Sequence, residues 1–109
     1  MKPVVFLGDS LEQIRAFPAR PRRDAGFPLD RVQRGFDPDD WKPMAVVGSG
    51  VREIRVRDTT GAYRVIYVAT FANAIYVLHA FRKKTQRTSL RDITLARLRF
   101  RNLKQRGSQ

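Results

Sequence analysis

Hydrophobic and polar residues alternate along three successive runs in the second half of the chain, and short turns separate these runs. The runs are 51–57, 63–68 and 74–81. In the first run Ile54 and Val56 share one face of a strand, while Glu53, Arg55 and Arg57 share the opposite face. The third run is apolar on both faces, which is typical of a central strand covered on both sides. The pattern therefore predicts an antiparallel meander of three strands.

A helix is predicted after the meander. Ser89 and Asp92 have the spacing of a capping box, which satisfies free N–H groups at the start of a helix. Apolar residues then recur every three or four positions up to Leu103, so one side of this helix is expected to pack on the sheet. The residues after Gln105 continue no such pattern, and we expect a disordered tail there.

The first third of the chain predicts one strand and two helices. Residues 4–7 are an apolar run that predicts a short buried strand, and residues 9–17 predict a short helix that ends before a proline. Residues 21–35 carry apolar positions at helical spacing. Because Gly26 and Pro28 interrupt this pattern, we expect a kinked or broken helix.

A loop is predicted over residues 36–50, which are rich in proline, glycine and aspartate around Trp41. Three acidic residues lie close together in this loop, at Asp37, Asp39 and Asp40. They are compatible with a cation site, but further oxygen ligands do not follow at regular spacing, so a solvated turn is the simpler interpretation. No metal site is predicted, and the whole chain, 1–109, is interpreted as one α+β domain.

Basic residues outnumber acidic ones by more than two to one. The 109 residues include 22 lysines and arginines and 10 aspartates and glutamates, so the formal net charge is +12. This charge favours a polyanionic partner; RNA, DNA, an anionic membrane and an acidic protein all stay open, and nucleic acid is preferred. Cysteine is absent and histidine occurs once, which excludes disulfides, thiolate chemistry and a histidine metal site. No apolar run has the length of a membrane span or signal peptide, so a cytoplasmic protein without a membrane partner is expected.

Four basic residues from the predicted strands or their ends form a candidate phosphate-binding site. They are Arg55, Arg64, Lys83 and Lys84. An arginine guanidinium offers a planar fork of donors to phosphate oxygens, and a lysine adds a compact charge that stabilises a pentavalent transition state. Arg64 has the strand parity of Ile66 and Val68, so we expect its stem to be packed and its head group held in place. The alternative is a set of solvated cations on a sheet face.

Several further residues admit two interpretations each. His79 is predicted to share a face with Val77 and Phe81, where it is either a core residue or a general acid or base. Tyr67 shares parity with Tyr63 and either packs under a helix or supplies a hydroxyl donor. A larger set of arginines is either a solvated surface or an RNA-binding surface. Its members are Arg55, Arg57, Arg82, Arg87, Arg97 and Arg101.

Four segments together resemble the phage-derived branch of the RelE/HigB-like toxins. They are 51–55, 63–67, 76–85 and 91–96, and the likeness extends from residue 7 to the last helix. The resemblance implies a RelE-like fold, in which a curved antiparallel sheet is packed by two N-terminal helices and a C-terminal helix. It also implies the toxin of a type II toxin–antitoxin system whose partner is a helix-turn-helix antitoxin.

The activity implied by the resemblance is cleavage of messenger RNA, commonly on the ribosome, without a metal or other cofactor. The ribose 2′-hydroxyl attacks the adjacent phosphate, which leaves a 2′,3′-cyclic phosphate and a 5′-hydroxyl. By motif, Arg64 matches the strand arginine that contacts the scissile phosphate, and Lys83 and Lys84 match the cations after the last strand. The acid and base differ among relatives, so His79 and Tyr67 complete the candidate catalytic set. Arg64→Ala is then expected to abolish cleavage and leave the fold intact.

Two other functions stay open on the sequence. A non-catalytic RNA-binding module acting on the ribosome would use the same charges to track a phosphate backbone. A DNA-binding β-ribbon is less favoured, because its strands would present amide-bearing readers and these strands offer none. Replacing Arg64 or Lys84 separates a catalyst, which loses turnover, from a binder, which loses affinity in proportion to the charge removed.

Overall fold

The α+β class is confirmed by the computed structural model, which describes residues 1–107. Within that range the elements are β1 (Val4–Phe6), α1 (Ser10–Arg15), α2 (Ala19–Gln33), β2 (Trp41–Pro43), β3 (Val51–Asp58), β4 (Gly61–Val68), β5 (Ile75–Lys83) and α3 (Leu90–Gly107). No helix among these residues combines the length and the apolar character needed to cross a membrane. The interpretation of 1–109 as a single domain stays a prediction.

The strands of residues 1–107 form one mixed sheet in the order β1-β5-β4-β3-β2. Strands β3, β4 and β5 are the predicted antiparallel meander. Strand β5 continues through Arg82 and Lys83, two residues beyond the predicted run 74–81. Strand β1 pairs in parallel with β5, with Val4 opposite Ile75, so the prediction of a wholly antiparallel sheet was wrong. A run of three or four apolar residues carries no information about strand direction, and the error follows from that.

Strand β2 lies in the segment that was predicted to be a loop. Its three residues pair antiparallel with β3 at the edge of the sheet, with Trp41 opposite Ile54 and Lys42 opposite Glu53. Pro43 ends the strand, and an edge is where a sheet tolerates proline. A three-residue strand among proline, glycine and aspartate residues is too short to show a recognisable alternation of hydrophobic and polar residues.

Helix α2 runs without a break through Gly26 and Pro28, so of the two predicted alternatives the broken helix was wrong. A proline in a helix interior costs about 3 kcal/mol. Ala25, Leu29 and Val32 are buried on the side of α2 that faces the sheet, and this packing offsets the local penalty. Tertiary burial here overrides the intrinsic preference of two residues.

Helix α3 begins at the predicted capping box. The backbone N–H of Asp92 donates to the Ser89 hydroxyl at 3.2 Å, and that hydroxyl donates to the Asp92 carboxylate at 2.6 Å. The helix continues through Gly107, so the expectation of disorder directly after Gln105 was wrong for the next two residues. The remainder of the predicted tail, residues 108–109, lies outside the described residues.

A β-bulge between β4 and β5 changes which face His79 occupies. Ile66 pairs with His79, but Tyr67 pairs with Val77, so Leu78 is the extra residue on β5. Parity therefore reverses along β5. His79 stacks on Phe81 with ring centroids 5.1 Å apart and does not share a face with Val77, so that part of the prediction was wrong.

Each face of the sheet carries its own hydrophobic core. On the α1/α2 face, strand residues such as Tyr63 pack with Leu29 and other residues of the two N-terminal helices. On the α3 face, Ile66 and Leu78 pack with Phe100 of the C-terminal helix. Glu53, Arg55 and Arg57 of β3 belong to the α3 face, at the end of the sheet where the apolar core stops.

Candidate functional site

The charged end of the α3 face is formed by side chains from neighbouring strands. Arg55 on β3 lies directly opposite Arg64 on β4. In the next row Arg57 and Lys83 lie on either side of Ala62. Strand pairing at the observed register therefore brings together three of the four residues of the predicted phosphate-binding site, and it adds Arg57.

A buried carboxylate, Glu53, lies among these cations. Its Oε1 is 3.3 Å from Nε of Arg64 and 3.7 Å from Nζ of Lys42, which is its neighbour on β2. Glu53 is fully buried. We call Lys42, Arg55, Arg64 and Lys83 the cation cluster. Four positive charges outnumber the carboxylates of Glu53 and Asp40 here, which leaves this part of the surface attractive to an anion.

The Arg64 side chain is held from two directions. Its Nη1 donates to the backbone carbonyl of Tyr63 at 3.0 Å, and its Nε faces Glu53. Only 6% of the residue is exposed. Desolvation lowers the pKa of Arg64, Glu53 opposes this effect, and Arg55 and Arg57 reinforce it. The expectation of a packed stem and a fixed head group agrees with this geometry.

The surroundings of Lys83 disfavour its charged form. Its pKa lies below the ordinary lysine value of 10.5, first because of desolvation and then because of the charge of Arg64. Lys42 and Arg55 act in the same direction, whereas Glu53 acts in the opposite one. A lysine with a depressed pKa supplies neutral amine closer to neutral pH, as a general base requires.

Lys83 also borders a cleft of about 580 Å³ at the start of α3. The loop that joins β5 to α3 forms one side of this cleft, and Lys84 from that loop faces the same space. The lining residues include Gln13, His79, Arg82, Lys83, Lys84, Thr85, Arg91 and Asp92. A phosphate backbone that enters this cleft would meet both lysines of the predicted site.

His79 is buried and both of its ring nitrogens face other side chains. Nε2 lies 2.7 Å from the Asp92 carboxylate, and Nδ1 lies 3.4 Å from Nη1 of Arg99. Arg99 in turn donates to Asp9 at 2.7 Å and to the Leu78 carbonyl at 2.9 Å. The arginine hydrogen bond lowers the pKa of Asp9. This network joins α1, β5 and α3, and it favours the core interpretation of His79 over proton transfer.

Tyr67 lies on the α1/α2 face and is therefore separated by the sheet from Arg64 and Lys83. It is fully buried, and its hydroxyl has no hydrogen-bond partner among the described residues. Desolvation raises the pKa of this phenol, while Arg52 across the strand pair lowers it. Of the two interpretations of Tyr67, packing under a helix matches its position.

A family model supplies the classification of the chain. The model for the phage-derived Gp49-like proteins (DUF891) matches residues 12–101. The chain belongs to this family. No curated protein matches it. The range shared with the Gp49-like family includes the whole cation cluster, Glu53 and most of α3.

The remaining predicted arginines lie on the surface of this Gp49-like protein. Arg57 is exposed and is 3.8 Å from Asp40, while Arg82 donates to the Thr60 carbonyl. Arg87, Arg97 and Arg101 are exposed on the loop before α3 and on α3 itself. Their positions are compatible with both interpretations that the sequence left open.

The aspartates of the 36–50 segment pair with arginines. Asp37 accepts from Arg52 at 2.7 Å, and Asp40 lies 3.9 Å from Arg55. Asp39 lies 3.9 Å from Arg31. Among residues 1–107 no group of three or more histidine or carboxylate side chains is arranged to hold a metal.

Sequence reasoning missed three residues of the site, namely Glu53, Lys42 and Thr88. Glu53 was placed on the correct face, and an acid between basic neighbours on a buried strand was the available signal. Lys42 was hidden because β2 was taken as a loop. Thr88 contacts Glu53 across 35 positions of sequence, which no local pattern reveals.

Proposed function

We propose that this Gp49-like protein is the toxin of a type II toxin–antitoxin pair and that it cleaves messenger RNA. The observation that carries the proposal is the cation cluster, in which Lys83 with its depressed pKa lies next to arginines on one face of the sheet. The phage-derived family and the resemblance of the strand and loop segments to RelE/HigB-like toxins support it. The same proposal includes action on the ribosome, neutralisation by an antitoxin and a cytoplasmic location.

The proposed reaction is an internal transfer of a phosphodiester. Neutral Lys83 takes the proton of a ribose 2′-hydroxyl, and the 2′-oxygen forms a bond to the adjacent phosphorus. The bond from phosphorus to the 5′-oxygen breaks, and that oxygen receives a proton from Lys84. The products are a 2′,3′-cyclic phosphate and a 5′-hydroxyl, so neither water nor an oxidant is consumed.

Positive charge supplies the transition-state stabilisation in this mechanism. The pentavalent phosphorus carries more charge on its oxygens than the ground state does, and fixed cations bind that extra charge without reorganising. Arg55 keeps a partly exposed side chain for this purpose, whereas Arg64 is held behind it by Glu53. Arg64 therefore acts mainly by contributing to the positive potential of the cluster and by keeping its side chains in position.

The surrounding arginines are proposed to guide the RNA. The side chains of Arg57, Arg82, Arg87, Arg97 and Arg101 are exposed on β3, on β5, in the loop before α3 and on α3. Contacts of this kind neutralise phosphates and release counterions, so binding weakens as salt increases. They also suit the backbone of ribosomal RNA, which would place the enzyme on translating ribosomes. A helix-turn-helix antitoxin is proposed as the partner that neutralises the toxin.

The test is an RNA-cleavage assay with the purified chain, with and without translating ribosomes, followed by mapping of the new ends. New 2′,3′-cyclic phosphates that disappear in Lys83→Gln are the expected result. Lys104→Gln is the matched control, because it removes the same charge from an exposed lysine over the Phe100 ring. Tight RNA binding without any cleavage would overturn the proposal in favour of a non-catalytic RNA-binding module.

A further inference from the structure

A side-chain hydrogen bond attaches the loop between β5 and α3, residues 84–89, to strand β3 of the sheet. The hydroxyl of Thr88 donates to Oε2 of Glu53 at 2.9 Å. Lys84 and Arg87, in the same loop, are exposed. The contact with Glu53 therefore fixes how closely a loop that carries basic side chains approaches the cation cluster.

Glu53 makes contacts to three separate elements at once. Lys42 comes from β2, Arg64 from β4 and Thr88 from the loop, and each of them faces a carboxylate oxygen of Glu53. A fully buried carboxylate is unfavourable unless partners of this kind compensate for the loss of water. The Glu53 carboxylate has no exposure to solvent, so it is not placed to touch RNA.

We propose that Glu53 is the positioning residue of the site, which holds Arg64 and, through Thr88, the loop with Lys84 in the arrangement that receives a phosphodiester. This inference rests on the proposed function and names a residue that acts through its neighbours. In this proposal the cations of the cluster bind the RNA, and the Glu53 carboxylate holds those cations together.

A second consequence concerns the protonation of Lys83. Charged groups that act on Lys83 or line the cleft that it borders come from every surrounding element. They are Arg64 from β4, Glu53 and Arg55 from β3, Lys42 from β2, Asp9 before α1, His79 and Arg82 on β5, Lys84 in the loop, and Arg91 and Asp92 on α3. Glu53 is the acid whose charge stabilises the Lys83 ammonium against its cationic neighbours.

The direction of the effect follows from these signs. Glu53 raises the pKa of Lys83 and the surrounding cations lower it. Removal of the Glu53 charge in Glu53→Gln therefore lowers the pKa of Lys83 further. If neutral Lys83 is the base, the rising limb of the pH–rate profile moves to lower pH in this variant. A purely structural role for Glu53 would leave that limb in place.

The first experiment uses Thr88, because its replacement removes no buried charge. Thr88→Val keeps the shape of the side chain and deletes the hydroxyl, whereas Thr88→Ser keeps the hydroxyl. We expect about tenfold slower cleavage at saturating RNA for Thr88→Val, because displaced catalytic groups lose rate more than affinity. Thr88→Ser is expected to cleave at close to the wild-type rate. Equal rates for wild type and Thr88→Val would overturn the proposal.

The second experiment does not require cleavage. Amide hydrogen exchange of residues 84–89 is expected to be faster in Thr88→Val than in wild type or Thr88→Ser. In Glu53→Gln, an NMR titration of the Lys83 side chain is expected to show a lower pKa than in wild type. Unchanged exchange together with an unchanged Lys83 titration would refute the positioning role. A wild-type protein that cleaves no RNA would instead refute the proposed function, and these two measurements would still decide the role of Glu53.

Discussion

Arg55 and Arg64 are direct cross-strand partners on one face of the sheet. Two like charges in this arrangement destabilise a strand pair. Each arginine has a carboxylate near it: Arg55 is 3.9 Å from Asp40, and Arg64 is 3.3 Å from Glu53. The nearby carboxylates thus offset a repulsion between the two arginines that is unfavourable by itself. Locally unfavourable arrangements of this kind are expected at sites where a protein binds a ligand or catalyses a reaction.

The role of Glu53 changes what is expected of Arg64→Ala. Sequence reasoning predicted an inactive protein with an intact fold. Because Glu53 is fully buried, loss of Arg64 leaves its charge with weaker compensation, and we expect a loss of about 3 kcal/mol in the free energy of unfolding. Urea denaturation measures this loss. Arg57→Ala, at an exposed position, is the control and is expected to change stability by less than about 0.5 kcal/mol. Equal stabilities of the two variants would contradict the buried pair.

Tyr67→Phe is expected to stabilise the protein and to leave cleavage unchanged. The substitution removes a buried hydroxyl that makes no hydrogen bond of good geometry within residues 1–107, although Arg52 is close enough to lower its pKa; a poorly satisfied group of this type costs about 1 kcal/mol or more. Its position on the α1/α2 face keeps it away from the cation cluster. Thermal unfolding and the RNA-cleavage assay check the two parts. Lost cleavage with a stable fold would return Tyr67 to the catalytic set.

Lys83→Met is expected to increase stability at neutral pH while it abolishes cleavage. The folded pKa of Lys83 is below the unfolded value near 10.5, so between these two values the unfolded chain binds more protons. Stability from this group is therefore present above the unfolded pKa and is lost as pH falls through the folded pKa. Methionine removes that dependence.

The measurement for Lys83→Met is the free energy of unfolding of both proteins as a function of pH. The advantage of the variant is expected to be largest at neutral pH and to shrink as pH approaches 10.5. A variant that is less stable than wild type at neutral pH would show that Lys83 contributes favourable contacts in its charged form.

Two glycines provide a matched test of packing. A methyl group at Gly26 in α2 meets no atom within 4 Å, so Gly26→Ala is expected to stabilise the helix by about 0.5–1 kcal/mol. A methyl group at Gly48 would overlap the Phe100 ring, so Gly48→Ala is expected to destabilise the protein. Denaturation midpoints check both signs. Similar effects at the two positions would contradict the packing of α3 against this segment.

Much of the fold follows from periodicity. The alternation around Ile54 and the recurrence of apolar residues up to Leu103 correctly predict β3, β4, β5 and α3, because buried residues recur there at the period of a strand or a helix, and β4 and β5 are buried on both faces. The errors have local causes. Burial of Leu29 and Val32 carries α2 through Pro28, and the bulge at Leu78 reverses the parity that placed His79.

The site was predicted only where its residues lie on regular strands. Arg55 and Arg64 lie on successive predicted strands, and so they were grouped together; the register that makes them direct partners comes from the structure. Lys42 depends on a three-residue edge strand, and Thr88 depends on a long-range contact to Glu53. Contacts of this second kind follow from the tertiary arrangement, which local patterns do not encode.

The most direct test of the central claim is the single-turnover rate of messenger RNA cleavage as a function of pH, for wild type, Lys83→Gln and the control Lys104→Gln. We predict a wild-type rate that rises with pH through an apparent pKa below 10.5, a control that behaves in the same way, and loss of cleavage in Lys83→Gln with RNA binding retained. Cleavage by Lys83→Gln at the wild-type rate and with the same pH dependence would contradict the account.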